Sequence, residues 1–119
     1  ALLHDAPEDV LGDLISPVKA AFGYGYEKLD AKLTEAIHRW FGVPAKISRD
    51  LKKKIKKADK ISAWLEAIEI AGFSKHEADN FFGKFDKSYL TKFSIQIRPP
   101  ALVRSDYIEK CSTLLDNSK

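Results

Sequence analysis

Ser48-Arg49-Asp50-Leu51-Lys52-Lys53-Lys54-Ile55-Lys56-Lys57-Ala58-Asp59-Lys60-Ile61-Ser62-Ala63-Trp64-Leu65-Glu66-Ala67-Ile68-Glu69-Ile70-Ala71-Gly72 is the stretch that decides the fold class. Leu51, Ile55, Ala58, Ile61, Leu65 and Ile68 recur by threes and fours, the period of a helix with one apolar face. Ser48 is a candidate amino-terminal cap, Asp50 suits the positive end of the helix dipole, and Gly72 closes the run. Upstream, Tyr26, Leu29, Leu33, Ile37, Trp40 and Phe41 repeat the same spacing. Gly42-Val43-Pro44 stops that second helix, with glycine past its end and proline behind. Further upstream, Ser16-Pro17 reads as a cap followed by proline at the first helical position. It starts a short helix to about Phe22, and Gly23-Tyr24-Gly25 reads as a turn. Downstream, Ser74-Lys75-His76-Glu77 has capping-box spacing and predicts a helix through Phe82. Pro99-Pro100 precede a last helix carrying Leu102, Val103, Tyr107, Ile108, Cys111, Leu114 and Leu115. Residues 83–96 are less regular. Ser94-Ile95-Gln96-Ile97-Arg98 alternates like a strand but has no partner strand. The expectation is an all-α fold, with Trp40 and Trp64 in its core.

The composition narrows the functional classes. The chain has 119 residues, of which 45% are hydrophobic, enough for one globular domain, residues 1–119. Its net charge of +3 is too small to mark a nucleic-acid binder by itself. One cysteine, Cys111, excludes an internal disulfide and fits a reducing compartment. No apolar run approaches bilayer length, and no basic-then-apolar leader opens the sequence, so the expected setting is the cytosol. The opening Leu2-Leu3-His4-Asp5 reads as the last turn of a helix, and so short a helix does not stand alone. Upstream sequence is therefore expected.

The chemistry concentrates at that opening: Leu2-Leu3-His4-Asp5-Ala6-Pro7-Glu8-Asp9-Val10-Leu11-Gly12-Asp13. An imidazole and carboxylates set among apolar residues are costly unless a cation neutralises them. Histidine with carboxylate is also a ligand set for a borderline or hard divalent ion. Asp59 lies at the edge of its helix's apolar stripe. It reads either as a metal ligand or as a carboxylate paired with neighbouring lysines on an exposed flank. His38 and His76 read as surface residues, and Cys111 as a small buried hydrophobe. The run Lys52-Lys53-Lys54-Ile55-Lys56-Lys57 reads first as a solvated helix face. It has no interleaved aromatic to stack bases, which argues against single-stranded nucleic acid.

His4-Asp5-Ala6-Pro7-Glu8, Gly12-Asp13, Ser16-Pro17-Val18-Lys19 and Lys57-Ala58-Asp59-Lys60 together resemble the HD-domain metal-dependent phosphohydrolases. The resemblance is to the branch of 5'-deoxynucleotidases and phage-type deoxynucleotide phosphohydrolases, and it covers roughly residues 2–83. It implies a helical HD-domain bundle whose amino-terminal helices precede this chain. It also implies a divalent ion (Mn, Co, Mg, Zn or Fe) held by His4, Asp5 and Asp59. Glu8 would serve the attacking water, Asp13 the water or sugar network, and Pro17 and Lys19 the nucleotide pocket. Lys56, on the helix of Asp59, would balance phosphate charge. The family's first ligand histidine lies upstream of the His-Asp pair, and only three residues precede His4 here.

The function expected from this resemblance is metal-dependent hydrolysis of a deoxynucleoside mono- or triphosphate, in a homo-oligomer without membrane attachment. Two other readings stand beside it. One is a non-catalytic remnant acting through oligomer or partner contacts. The other is a basic helical nucleic-acid-binding module, ranked last.

Overall fold

The computed structural model describes residues 1–118; its regular structure is all helical, with no strand among the described residues. In chain order the helices are α1 (Ala6–Leu11), α2 (Ser16–Phe22), α3 (Tyr24–Trp40), α4 (Arg49–Glu69), α5 (Lys75–Phe82), α6 (Ser88–Lys92) and α7 (Pro100–Asp116). They fall into two compact units, residues 1–49 and 50–119.

In the first unit, α1 and α2 pack on α3. Prolines stand in the first turns of α1 and α2, where an absent N–H costs nothing, and Pro7 is buried. The start of α2 differs from the sequence expectation. Ile15 is its cap, so Ser16 is already helical and makes no side-chain capping bond. The reason lies in the backbone: the Val18 and Lys19 amides both donate to the Ile15 carbonyl, at 2.9 and 3.1 Å. The expected three-residue turn at 23–25 also contracts to one residue. Gly23 has φ +58° and ψ −146°, a conformation that side chains disfavour, and α3 resumes at Tyr24. At the far end of α3, the Val43 amide donates to the His38 carbonyl at 2.9 Å. The His38 ring Nδ1 lies 3.0 Å from the Pro44 carbonyl, whose bond it donates.

Trp40 corrects the expected core. It is 87% exposed and lies at the polar edge of the α3 stripe, lining a surface depression with Lys32, Glu35, Ala36 and Arg39. Leu33 and Ile37, nearer the middle of α3, are half-buried.

The second unit is built around Trp64, which is fully buried with Leu65, Ala67 and Ala78. Ile61, Ile68, Phe73, Phe82, Phe85, Tyr89, Leu90 and Ile95 pack against this nucleus. Phe85 meets Trp64 edge to face, with ring centroids 5.8 Å apart. The indole N–H donates to Asp79 at 2.9 Å, and Lys75 binds the other Asp79 oxygen at 2.5 Å. The Lys75 ammonium also lies 5.7 Å from the Trp64 ring centre. This fixes α5 against the carboxyl half of α4. Ser74 forms the expected capping box: its hydroxyl accepts from the Glu77 amide, and its own amide donates to the Glu77 carboxylate at 2.8 Å.

The irregular region after Phe82 contains α6, which the sequence spacing missed; the Ser88 amide donates to Asp86 at 2.7 Å at its start. Ser94–Arg98 forms neither helix nor strand; the Ile95 amide donates to the Glu69 carboxylate, and Arg98 pairs with Asp106 at 2.6 Å. Helix α7 has no fully buried residue, and Cys111 on it is half-buried rather than buried.

Candidate functional site

The turn at residues 2–5 and α1 place His4, Asp5 and Glu8 on one side of the first unit. The Glu8 amide donates to the Asp5 carbonyl at 2.9 Å, so Glu8 follows Asp5 by one helical turn. Lys19 comes from the middle of α2, and Tyr26 and Glu27 from the first turn of α3. These six residues line one cleft of ≈ 640 Å³ within this unit. His4 Nε2 stands 3.8 Å from Asp5 Oδ1, and Lys19 Nζ stands 3.6 Å from Glu8 Oε1. The same ammonium lies 5.9 Å from the Tyr26 ring centre. Lys19 is thus held between a carboxylate and an aromatic face, both typical partners for a cation.

Four of the residues singled out in the sequence therefore meet: His4, Asp5, Glu8 and Lys19. Asp13 and Pro17 do not line the cleft. Asp13 lies in the link between α1 and α2, and Pro17 in the first turn of α2. Asp59 and Lys56 belong to the second unit, three residues apart on α4, and both are exposed.

Exposure also alters the argument from burial. The side chains of His4 and Asp5 are 47% and 74% exposed, so water already solvates them. Asp59 is solvated in the same way. The desolvation that would demand a cation at these positions is small. Among the described residues, no three His, Cys, Asp or Glu side chains are gathered tightly enough to hold a metal ion. Within the cleft, His4 and Asp5 offer a pair of donors of the right chemistry, and a pair does not complete a metal shell.

Sequence reasoning missed Glu27 and Asp30, which also line the cleft. They stand three apart on α3 and so share one face with Gly23, a spacing visible in the sequence once α3 is known to begin at Tyr24. The cleft sets four carboxyl groups against one ammonium. A bare phosphate meets net repulsion there, and an anion accompanied by a cation does not.

No protein-family model matches the chain. Over 115 residues it is 53% identical to an uncharacterized protein of Rhodobacter capsulatus, a match covering 97% of this chain and 59% of that protein. The chain thus spans about three-fifths of the length of the curated relative it matches.

Proposed function

We propose that this chain is part of an HD-type phosphohydrolase acting on a nucleotide phosphoester, a deoxynucleoside mono- or triphosphate. One observation carries the reading. Residues chosen from the sequence for the ion, the water and the phosphate (His4 and Asp5, Glu8, Lys19) line a single cleft. The excess of carboxyl groups around that cleft favours a phosphate that arrives with a divalent cation.

In this reading Glu8 orients or deprotonates the attacking water, and Lys19 meets the phosphate when it leaves Glu8. His4, Asp5 and Asp59 are the ligands that the resemblance implies, and Lys56 is the helix α4 lysine assigned to phosphate charge. A bound divalent ion supplies charge for the phosphate and a water of lowered pKa.

The test is metal content by mass spectrometry beside phosphate release from a nucleotide panel, on protein expressed from the full reading frame. Glu8→Ala is expected to reduce turnover while keeping metal content. Asp59→Ala is expected to reduce both. Full turnover in Glu8→Ala, or no release from any nucleotide with any of the five ions, overturns the proposal.

A second reading, a non-catalytic interaction module, draws on Trp40, Tyr24 and Phe22 in the first unit, which are 87%, 80% and 66% exposed. Large exposed apolar surface marks contact sites. Sedimentation velocity tests it, a monodisperse monomer counting against self-association.

A further inference from the structure

The chain's positive charge is concentrated in one place. Residues 49–60 carry seven Lys and Arg against two Asp, a local excess larger than the net +3 of the whole chain. The rest of the chain sums to −2, since +3 for the whole less +5 for this segment leaves −2. At about 100° per residue, Lys53, Lys56, Lys57 and Lys60 fall within one arc of roughly 100°, with Lys52 and Lys54 flanking it. All six are exposed, and none takes part in an ion pair among the described residues. The two aspartates of this segment, Asp50 and Asp59, fall outside the arc on the same helical count. The surface is thus a row of unneutralised ammonium groups on a helix, spread over about 10 Å along its axis.

The rest of α4 selects the partner. A basic amphipathic helix binds a lipid surface by inserting its apolar face. Here Ile61 and Leu65 of that face are committed to the Trp64 core and Ile55 is half-buried, which leaves Leu51, 45% exposed, as the large apolar side chain of the basic half that water reaches, too little to anchor a helix in lipid. No aromatic stands among the lysines to stack an unpaired base. What is left is a rigid line of point charges spaced by three and four residues, suited to a polyphosphate backbone and reading no sequence.

We infer that the Lys53-Lys56-Lys57-Lys60 face of α4 binds the phosphate backbone of double-stranded nucleic acid without sequence preference. Lys56 also figures in the proposed hydrolysis, but duplex binding is measured without turnover, so failure of one reading does not decide the other.

The experiment is fluorescence-anisotropy titration of the full chain against a random-sequence duplex of about 25 base pairs, from 25 to 200 mM salt. Neutralising about four phosphates gives a slope of log K against log salt near −3.6. The variant K53Q/K56Q/K57Q/K60Q keeps good helix formers and is expected to retain its circular dichroism while binding at least tenfold more weakly. K84Q/K87Q/K92Q/K110Q removes the same charge elsewhere and is expected to bind within twofold of the parent. Absence of duplex binding at 25 mM salt overturns the inference. So does an equal loss in both variants, which would make net charge the cause. Preferential binding to vesicles containing phosphatidylserine, or to the single strand over the duplex, also overturns it.

Discussion

Replacing Trp64 with alanine tests the second unit where its energy is concentrated. Trp64 is the largest fully buried side chain, at 0% exposure. An aromatic side chain buries about 150–250 Å². At about 25 cal/mol per Å², the lower to upper part of that range corresponds to about 4–6 kcal/mol. Measured truncations of buried Phe or Trp to Ala run at about 3–5 kcal/mol, consistent with this figure. A unit of this length has a total stability of about 3.5–10 kcal/mol at the usual value per residue. Trp64→Ala is therefore expected to remove from about a third to all of the second unit's stability at 25 °C. Trp64→Phe keeps most of the packing and loses the indole N–H, so its expected loss is smaller. The assay is urea unfolding followed by far-ultraviolet circular dichroism, with the slope compared between variants. A loss below about 1 kcal/mol in Trp64→Ala, with the slope unchanged, would refute the assignment of this residue as the centre of the unit.

Acid should weaken the second unit specifically. The ammonium of Lys75, and then the Trp64 N–H, hold Asp79 below its ordinary value of 3.8. The Ser74 amide and hydroxyl do the same for Glu77, ordinarily 4.5, and the Ser88 amide for Asp86, ordinarily 3.8. Groups depressed in the folded state add stability above their unfolded values, and that stability is lost as pH falls through the folded ones. The melting temperature is thus expected to hold from pH 7 to about 5 and to fall below about 4, with Asp79→Asn flattening the profile. Ser74→Ala should cost α5 about 0.5–2 kcal/mol through its lost cap, read by chemical denaturation. Gly23→Ala should cost the first unit about 1–3 kcal/mol, because alanine at φ +58° and ψ −146° is strained; differential scanning calorimetry measures it. Iodide should quench the emission of Trp40 and spare Trp64, giving a biphasic Stern–Volmer plot, since one indole is 87% exposed and the other 0%.

The long helices were legible because their signals are local. The stripe from Leu51 to Ile68, the capping box at Ser74 and Glu77, and the Gly42-Pro44 stop each act within a few residues, and each corresponds to a boundary in the structure. The start of α2 was misplaced by one residue because Ser16 and Ile15 compete for the cap, and backbone bonding rather than hydroxyl chemistry decides it. Trp40 was misread for a different reason. Spacing places Trp40 in the apolar stripe of α3, but does not show whether that edge of the stripe, beside Lys32, Ala36 and Arg39, is covered. The cleft was half legible. His4, Asp5, Glu8 and Lys19 stood out as chemistry, whereas Glu27 and Asp30 join them only because α2 turns back on α3 at Gly23.

The concentration of lysines on the amino half of α4 gives the second unit one strongly cationic face. The chain's isoelectric point of about 8.9 describes only the sum of its charges. A charged chromatographic bead senses the nearest surface instead, and here that surface is far more cationic than the sum. The chain should be retained on a sulfonate resin at and slightly above its isoelectric pH, oriented with α4 toward the matrix. Its retention time would then report the state of one helical face, whereas its migration in an electric field would report the whole molecule.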